Sequence, residues 1–182
     1  MGSLCAPRPV KLFAGLIAAE PSLFDAAQAD LARAIENRVD LESAVLDFHA
    51  TSYYCDEMGD GLKRKFVAFS DLAGLGAIHK VKIASRRIED TYARCGKRRI
   101  NIDPGYLDLS KVVLLSTKDF THRIYLDDGI YAEVTLFFKD RTFQAWPWTY
   151  PDYKGRPYID FFNALRTQYK KTIDAGKHHE NP

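Results

Sequence analysis

The sequence predicts an α+β fold: a mixed, largely antiparallel sheet with about three helices. Three observations lead there. Apolar residues recur at helical spacing near 21–38, near 77–94 and again from Pro157 onward. From residue 98 the hydrophobic period changes to two, the signature of strands with unlike faces. Between two of those alternating runs lies Asp127-Asp128-Gly129, a hairpin turn signal.

Each element has its own warrant. Residues 10–18 (VKLFAGLIA) are continuously apolar after Lys11 and read as a buried strand. Pro21 suits a first helical turn, where its missing N–H is harmless. Phe24, Ala27, Leu31 and Ile35 make one apolar stripe, so a helix is expected over 21–38. A strand follows near 43–49, then a polar and aromatic loop from Thr51 to Gly61. This β-α-β opening resembles half of a ferredoxin-like sheet. Residues 63–70 (KRKFVAFS) form the next strand, ended by Gly74 and Gly76. Ile78, Val81, Ser85, Ile88 and Tyr92 mark a second helix over 77–94, with Gly96 after it. RRINID (98–103) alternates, and Pro104-Gly105 is expected to turn the chain. KVVLLST (111–117) is a buried strand. HRIYL (122–126) and IYAEVTLFF (130–138) flank a three-residue loop with Gly in the left-handed position. That loop sets Ile124 opposite Ala132 and Leu126 opposite Ile130 on the core side. Arg123 then faces Glu133, and Tyr125 faces Tyr131, on the other side. A further strand includes Thr142 to Trp146, and the last helix buries Phe161, Phe162, Leu165 and Tyr169.

A chain of 182 residues without repeats or linkers is expected to be one domain, 1–182, with ends that fray near 1–8 and 175–182. The net charge of +2 averages unlike segments: residues 1–62 carry −6, 63–99 carry +8, and 100–182 are balanced. Aromatics make up 13% of the chain, and 14 of the 23 lie between Tyr106 and Phe162. No apolar run approaches the about 20 residues that span a bilayer, so no membrane partner is expected. The N-terminal residues show no secretory pattern. Cys5, Cys55 and Cys95 are odd in number and far apart, which suits reduced thiols in the cytoplasm better than disulfides or a zinc site. His178 and His179 belong to a polar terminus.

Several chemistries are excluded by missing motifs. A P-loop needs G-x-x-x-x-G-K-S/T so that backbone N–H groups and a Lys surround the phosphates; Gly96-Lys97 is followed by Arg98 and lacks the first Gly. No G-x-G-x-x-G exists. Thr117-Lys118-Asp119 has Phe120 where a guanine-reading T-K-x-D needs Asp. His49-Ala50-Thr51 is half of a two-histidine phosphoesterase pair, and His122-Arg123-Ile124 lacks the hydroxyl of the other half. There is no G-x-S-x-G elbow or H-E-x-x-H helix.

The residues left to carry chemistry fall between 99 and 153. Arg99, Asn101 and Asp103 project from one strand face. Arg123, Tyr125, Tyr131, Glu133 and Thr135 project from a hairpin face, with Lys118, Asp119 and His122 at its entry. Trp148, Thr149, Tyr150, Asp152 and Tyr153 sit in a Pro-bracketed loop, WPWTYPDY. Arg offers a two-pronged donor for phosphate or carboxylate. Asp, Glu or His supplies acid–base chemistry, with no metal site assigned. The candidate catalytic residues are therefore Asp103, His122 and Glu133. The candidate substrate-binding residues are Arg99, Asn101, Lys118, Arg123, Trp148, Tyr150 and Asp152. Each also has a structural reading: Arg123–Glu133 as a cross-strand pair, Tyr125–Tyr131 as packing, Asp103 as a turn residue, His122 as a strand-end residue.

NIDPGYLDLSKVVLLSTKDFTHRIYLDDGIYAEVTLFF, followed by PWTYPDY, resembles an uncharacterised prokaryotic family of about this length, catalogued as a domain of unknown function. PVKLFAGLIA, TSYYCDEMGDGLKRKFVAF and FFNALRTQY fit the same pattern, from about Pro9 to Tyr169. The resemblance implies a single-domain family with no established activity, whose members sometimes carry an automatic GTP-binding label. Relatives often have Thr-Asn where this chain has Ala84-Ser85.

Three functions remain in order. The first is binding or turnover of a phosphorylated small molecule, a nucleotide for example, on a polar sheet face without a P-loop. The second is an RNA-binding module using the basic 63–99 segment. The third is a protein-interaction domain using the aromatic loop. The sequence names no cofactor, no oligomeric state, and does not decide whether the protein is an enzyme.

Overall fold

A computed structural model describes residues 3–48 and 58–177. Strand β1 (Val10–Ala18) leads into helix α1 (Ser22–Ala34), then β2 (Val39–Glu42), β3 (Leu46–Asp47) and the long β4 (Lys63–Ala73). A short 3-10 turn, Leu75–Ala77, precedes α2 (His79–Tyr92). Strands β5 (Ile100–Leu107), β6 (Lys111–Ser116), β7 (Arg123–Asp127), β8 (Ile130–Lys139) and β9 (Thr142–Ala145) follow. A 3-10 turn, Pro151–Lys154, leads into α3 (Arg156–Lys177). The described strands form one sheet in the order β2-β4-β1-β5-β6-β8-β7, with β3 also on β4 and β9 also on β8. Every pairing is antiparallel. The fold is thus α+β, as the change of hydrophobic period indicates. Because β4 is antiparallel to both neighbours, β1 and β2 run parallel with β4 between them.

Strand alternation sorts the core into two layers. Leu12, Ala14 and Leu16 of β1 pack with Phe24, Ala27 and Leu31 of α1 and with Val81 and Ile88 of α2. Phe13 of β1, Phe66 of β4 and Val112 and Leu114 of β6 meet Phe161, Phe162, Leu165 and Tyr169 of α3 on the opposite face. Phe162 stands edge-on to Phe13 at 5.0 Å. With helices on both sides, β1 has no polar face, which explains its unbroken apolar run. Each such fully buried side chain contributes about 1.5–3 kcal/mol. Among the described residues no helix is long and apolar enough to cross a membrane.

Four local expectations need correction. Helix α1 stops at Ala34 because Glu36 takes φ 51°, and the Asn37 N–H reaches back to the Ala32 carbonyl, closing the end as a Schellman turn. The strand expected near 43–49 is split into β2 and β3 around Ser43, whose hydroxyl accepts the Phe66 N–H at 2.9 Å. Pro104-Gly105 does not turn the chain, since β5 runs straight through it and Asp103 is a strand residue. Gly105 is there for close approach: a Cβ would collide with the Val113 carbonyl and lie 2.7 Å from Phe13 Cζ. The turn falls at Asp108, whose Oδ1 accepts the N–H groups of Ser110 and Lys111. Finally, the β7–β8 loop is a two-residue turn, Asp128 and Gly129, both at positive φ (49° and 75°). Arg123 opposes Glu133, Ile124 opposes Ala132 and Tyr125 opposes Tyr131, as expected. Asp127, not Leu126, opposes Ile130, and Leu126 is the extra residue of a bulge. Ile124 and Leu126 do not join the core, because α2 packs on β5, β6 and β8 and stops short of β7.

Candidate functional site

Two charged clusters sit on the α3 face of the sheet, beside the helix, and the 146–153 loop touches both. The first is built on the β7–β8 hairpin. Arg123 and Glu133 are directly opposed across the strands, and Glu133 is only 1% exposed. Each nitrogen of the Arg123 guanidinium makes a hydrogen bond. Its Nε donates to Glu133 Oε2 at 2.9 Å, one terminal nitrogen to the Lys118 carbonyl at 2.9 Å, and the other to the Tyr150 hydroxyl at 3.2 Å. Burial alone pulls its pKa down, but the bonds and charges of Glu133 and Tyr150 outweigh that and hold it above the ordinary value. His122 Nε2 lies 3.2 Å from the same Glu133 oxygen. Among the described residues the other carboxylate oxygen, Oε1, is buried without a hydrogen-bond partner.

Rings extend from this cluster. Phe120 meets His122 edge-on, and His122 lies nearly parallel to Trp148 with centroids 5.7 Å apart. Trp148 stacks on Trp146 at 5.1 Å, and Trp146 contacts Phe137 at 4.4 Å. The ladder is pinned by Thr149. Its hydroxyl donates to the Thr135 carbonyl at 2.6 Å and accepts the Trp146 N–H at 2.9 Å. Thr135 lies where the β6–β8 register slips by one residue.

The second cluster centres on Arg64 of β4, which the pattern KRKFVAFS does not distinguish from its neighbours. Arg64 lies over Gly15; a Cβ there would sit 2.5 Å from its guanidinium. It reaches Asp152 at 3.1 Å and Asp103 at 3.4 Å. Phe48, Phe66, Tyr153 and Tyr158 surround it at 5.1–5.8 Å from ring centre to guanidinium carbon. Burial disfavours the cation, yet Tyr153, Asp103, Tyr158 and Asp152 together hold its pKa above the ordinary value. Burial pushes the Asp152 carboxyl up against the pull of Arg64. Burial also pushes the Tyr153 phenol well up. One signal in the sequence marked Arg64: it shares strand parity with Phe66 and Ala68, so it had to point into the α3 layer.

Beside this cluster the sheet opens. β5 pairs with β6 only from Gly105 onward, so among the described residues the edge of β5 before it lacks a strand partner on that side. Helix α2 fills the role: Lys82 Nζ donates to the Ile102 carbonyl at 2.8 Å, and Glu89 accepts the Ile102 N–H at 2.7 Å. Lys82 also stands 3.9 Å from Asp103. Burial raises the Glu89 pKa, more than Lys82 and the Ile102 N–H lower it.

The residues proposed from sequence therefore divide. His122, Arg123, Glu133, Trp148 and Tyr150 come together, with Lys118 joining through its carbonyl. Asp103 and Asp152 belong to Arg64 instead. Asn101 is buried and accepts from Arg98 at 3.0 Å. Arg99 grips Glu20 with two 2.6 Å contacts away from both clusters. His49, Thr51, Cys55, His178 and His179 lie outside the described residues. Among the described residues no three His, Cys, Asp or Glu side chains are grouped to hold a metal ion.

Residues 8–169 match the family model described as a domain of unknown function, DUF4416, and the chain belongs to that family. A search of the curated proteins gives no match.

Proposed function

We propose that the face formed by His122, Arg123, Glu133, Trp148 and Tyr150 binds a phosphorylated small molecule with a flat ring, of which a nucleotide is the leading example. The carrying observation is His122, set 3.2 Å from a buried carboxylate and lying flat against Trp148. A buried carboxylate beside one imidazole nitrogen orients the ring and leaves the other nitrogen for a ligand. Phe120, 61% exposed and edge-on to His122, offers a ring at the end of the ladder against which a base packs. Arg123 and Lys118 contribute positive charge for phosphate oxygens. Because its three nitrogens are engaged, Arg123 acts by holding Tyr150 and Glu133 in place. In turnover, His122 is the acid–base residue.

Thermal-shift titration with nucleotides, nucleosides, sugar phosphates and inorganic phosphate tests this. Nucleotides should raise the melting temperature of the wild type, and Trp148→Ala or His122→Ala should remove the shift. The proposal fails if no phosphorylated compound stabilises the wild type more than Arg123→Ala.

The RNA reading has less support. Its basic segment is largely neutralised: Lys63 pairs with Asp47, Arg64 with Asp103 and Asp152, Lys65 with Glu42 and Asp25, and Arg99 with Glu20. Lys82, Arg86 and Arg98 also stand within 4.0 Å of carboxylates. Counterion release on RNA needs cations that are not already compensated.

A further inference from the structure

The α1–α2 face of the sheet carries a groove, where the end of α1, the end of β4 and the start of α2 meet. Its volume is about 250 Å³. Small residues leave the room: Ala34 of α1, Ala73 and Gly74 at the end of β4, Ala77 before α2 and Ala84 within it. Buried Leu12 and Val81 continue the lining into the core. Among the described residues the one charged side chain in the lining is that of Lys80. Lys80, Ala84, Arg87 and Thr91 recur at i, i+4, i+7 and i+11, so they share one shoulder of α2. Lys80 and Arg87 are both exposed, and about 10.5 Å apart along the helix. Among the described residues neither is paired with a carboxylate, since Asp90 lies by Arg86 instead. On the α1 side, Asp30 is held by Arg33 and by the Tyr92 hydroxyl. Two uncompensated cations therefore stand beside an apolar hollow.

We propose that this groove docks an acidic amphipathic helix of a partner protein, with an aliphatic side chain in the hollow and carboxylates against Lys80 and Arg87. Whole small molecules usually fill about 300–1,000 Å³, so a smaller hollow suits a side chain anchored from a larger body. A helix with acids seven residues apart repeats the Lys80–Arg87 spacing, and an apolar groove takes the anchors on its adjoining face. The small residues of the lining let the docked helix approach closely. Opposite charges beside the anchor fix its direction and speed its arrival. Nucleic acid has no aliphatic side chain to place in the hollow. A membrane surface would be met by large exposed apolar side chains, and among the described residues none stands on α1 or α2. The groove lies on the face of the sheet opposite the ligand site and its docking stands independently of that ligand.

Fluorescence anisotropy with labelled synthetic peptides tests this. The probe is a helical peptide with leucines along one side and glutamates at seven-residue spacing beside them. It should bind the wild type, and added salt should weaken the binding. Arg87→Glu, at an exposed position, should weaken it about 10-fold or more. A second probe with lysines in place of the glutamates should bind Arg87→Glu better than it binds the wild type. Ala84→Leu, with unchanged far-UV circular dichroism, should abolish binding by filling the hollow. The proposal is overturned if the glutamate probe does not bind at millimolar concentration, if the lysine probe binds the wild type equally well, or if Arg87→Glu leaves the affinity unchanged. It is also overturned if single-stranded RNA or phosphatidylserine vesicles bind more tightly than the glutamate probe and lose that binding in Arg87→Glu. Trp148→Ala should leave peptide binding intact, so loss of nucleotide binding there bears on the ligand site alone.

Discussion

Arg64 is the residue on which most of the buried polar chemistry converges, and its removal should be costly. It leaves Asp152 among aromatic rings without its cation, and leaves Asp103 to Lys82 at 3.9 Å. Breaking one side of a buried ion pair typically costs about 3–5 kcal/mol. Arg64→Met is expected to lower stability by that order in urea unfolding, and Arg64→Met with Asp152→Asn should recover part of the loss. A variant as stable as wild type would show that the cluster is solvated rather than buried. Two glycines make a graded comparison. A Cβ at Gly105 runs into backbone, whereas at Gly15 it meets the end of the Arg64 side chain. Gly105→Ala should therefore be the more damaging of the two, by at least about 1 kcal/mol. Glu89 supplies a pH signature. Burial raises its pKa in the folded protein. A carboxyl raised in this way favours folding below its unfolded value of about 4.3 and loses that contribution as pH rises through the folded value. Glu89→Gln keeps an acceptor for the Ile102 N–H but has no charge to bury. Its stability relative to wild type should thus improve between pH 4 and neutrality; a pH-independent difference would contradict the assigned shift.

At the scale of elements, the loop 146–153 joins the clusters. Tyr150 touches Arg123, and Asp152, two residues on, touches Arg64. Thr149 clamps the same loop to β8 through Thr135. Thr149→Val removes both of its bonds while nearly keeping its shape, and should free Trp148 and weaken ligand binding about 10-fold or more, on about 1.4 kcal/mol of lost positioning. Unchanged affinity with a mobile loop would separate the loop from the site. The elements themselves were largely legible because hydrophobic period reports which faces are covered. β1 shows no alternation since it is covered twice, and the hairpin register from Arg123 to Tyr125 follows from period alone. The departures share a cause: they depend on backbone neighbours that a linear reading does not contain. Pro104-Gly105 looks like a turn, but its glycine answers to Val113 and Phe13 across the sheet. Asp127-Asp128-Gly129 looks like a three-residue loop, yet a bulge at Leu126 restores the faces around a two-residue turn. Arg64 was hidden because its aspartate partners lie 39 and 88 residues away.

Over the whole molecule, helices α1 and α2 cover one face of the sheet and α3 covers part of the other. The α3 layer buries Phe66, Leu136 and Phe143, and the polar hairpin stands at its margin. Polar groups of several types are thereby held on rigid strands at the edge of a packed layer. Sequence pattern located the hairpin and the aromatic loop in that region, but assigned Asp103 and Asp152 to the same site when Arg64 claims them. The chain has two tryptophans, so its indole N–H groups give two resolvable signals in an ¹⁵N-labelled sample. Trp148→Phe assigns them. Titration of the wild type with nucleotides should move the Trp148 signal saturably and shift the His122 ring resonances with the same affinity. Indole and imidazole signals unmoved by every phosphorylated compound would contradict a ligand site at this face.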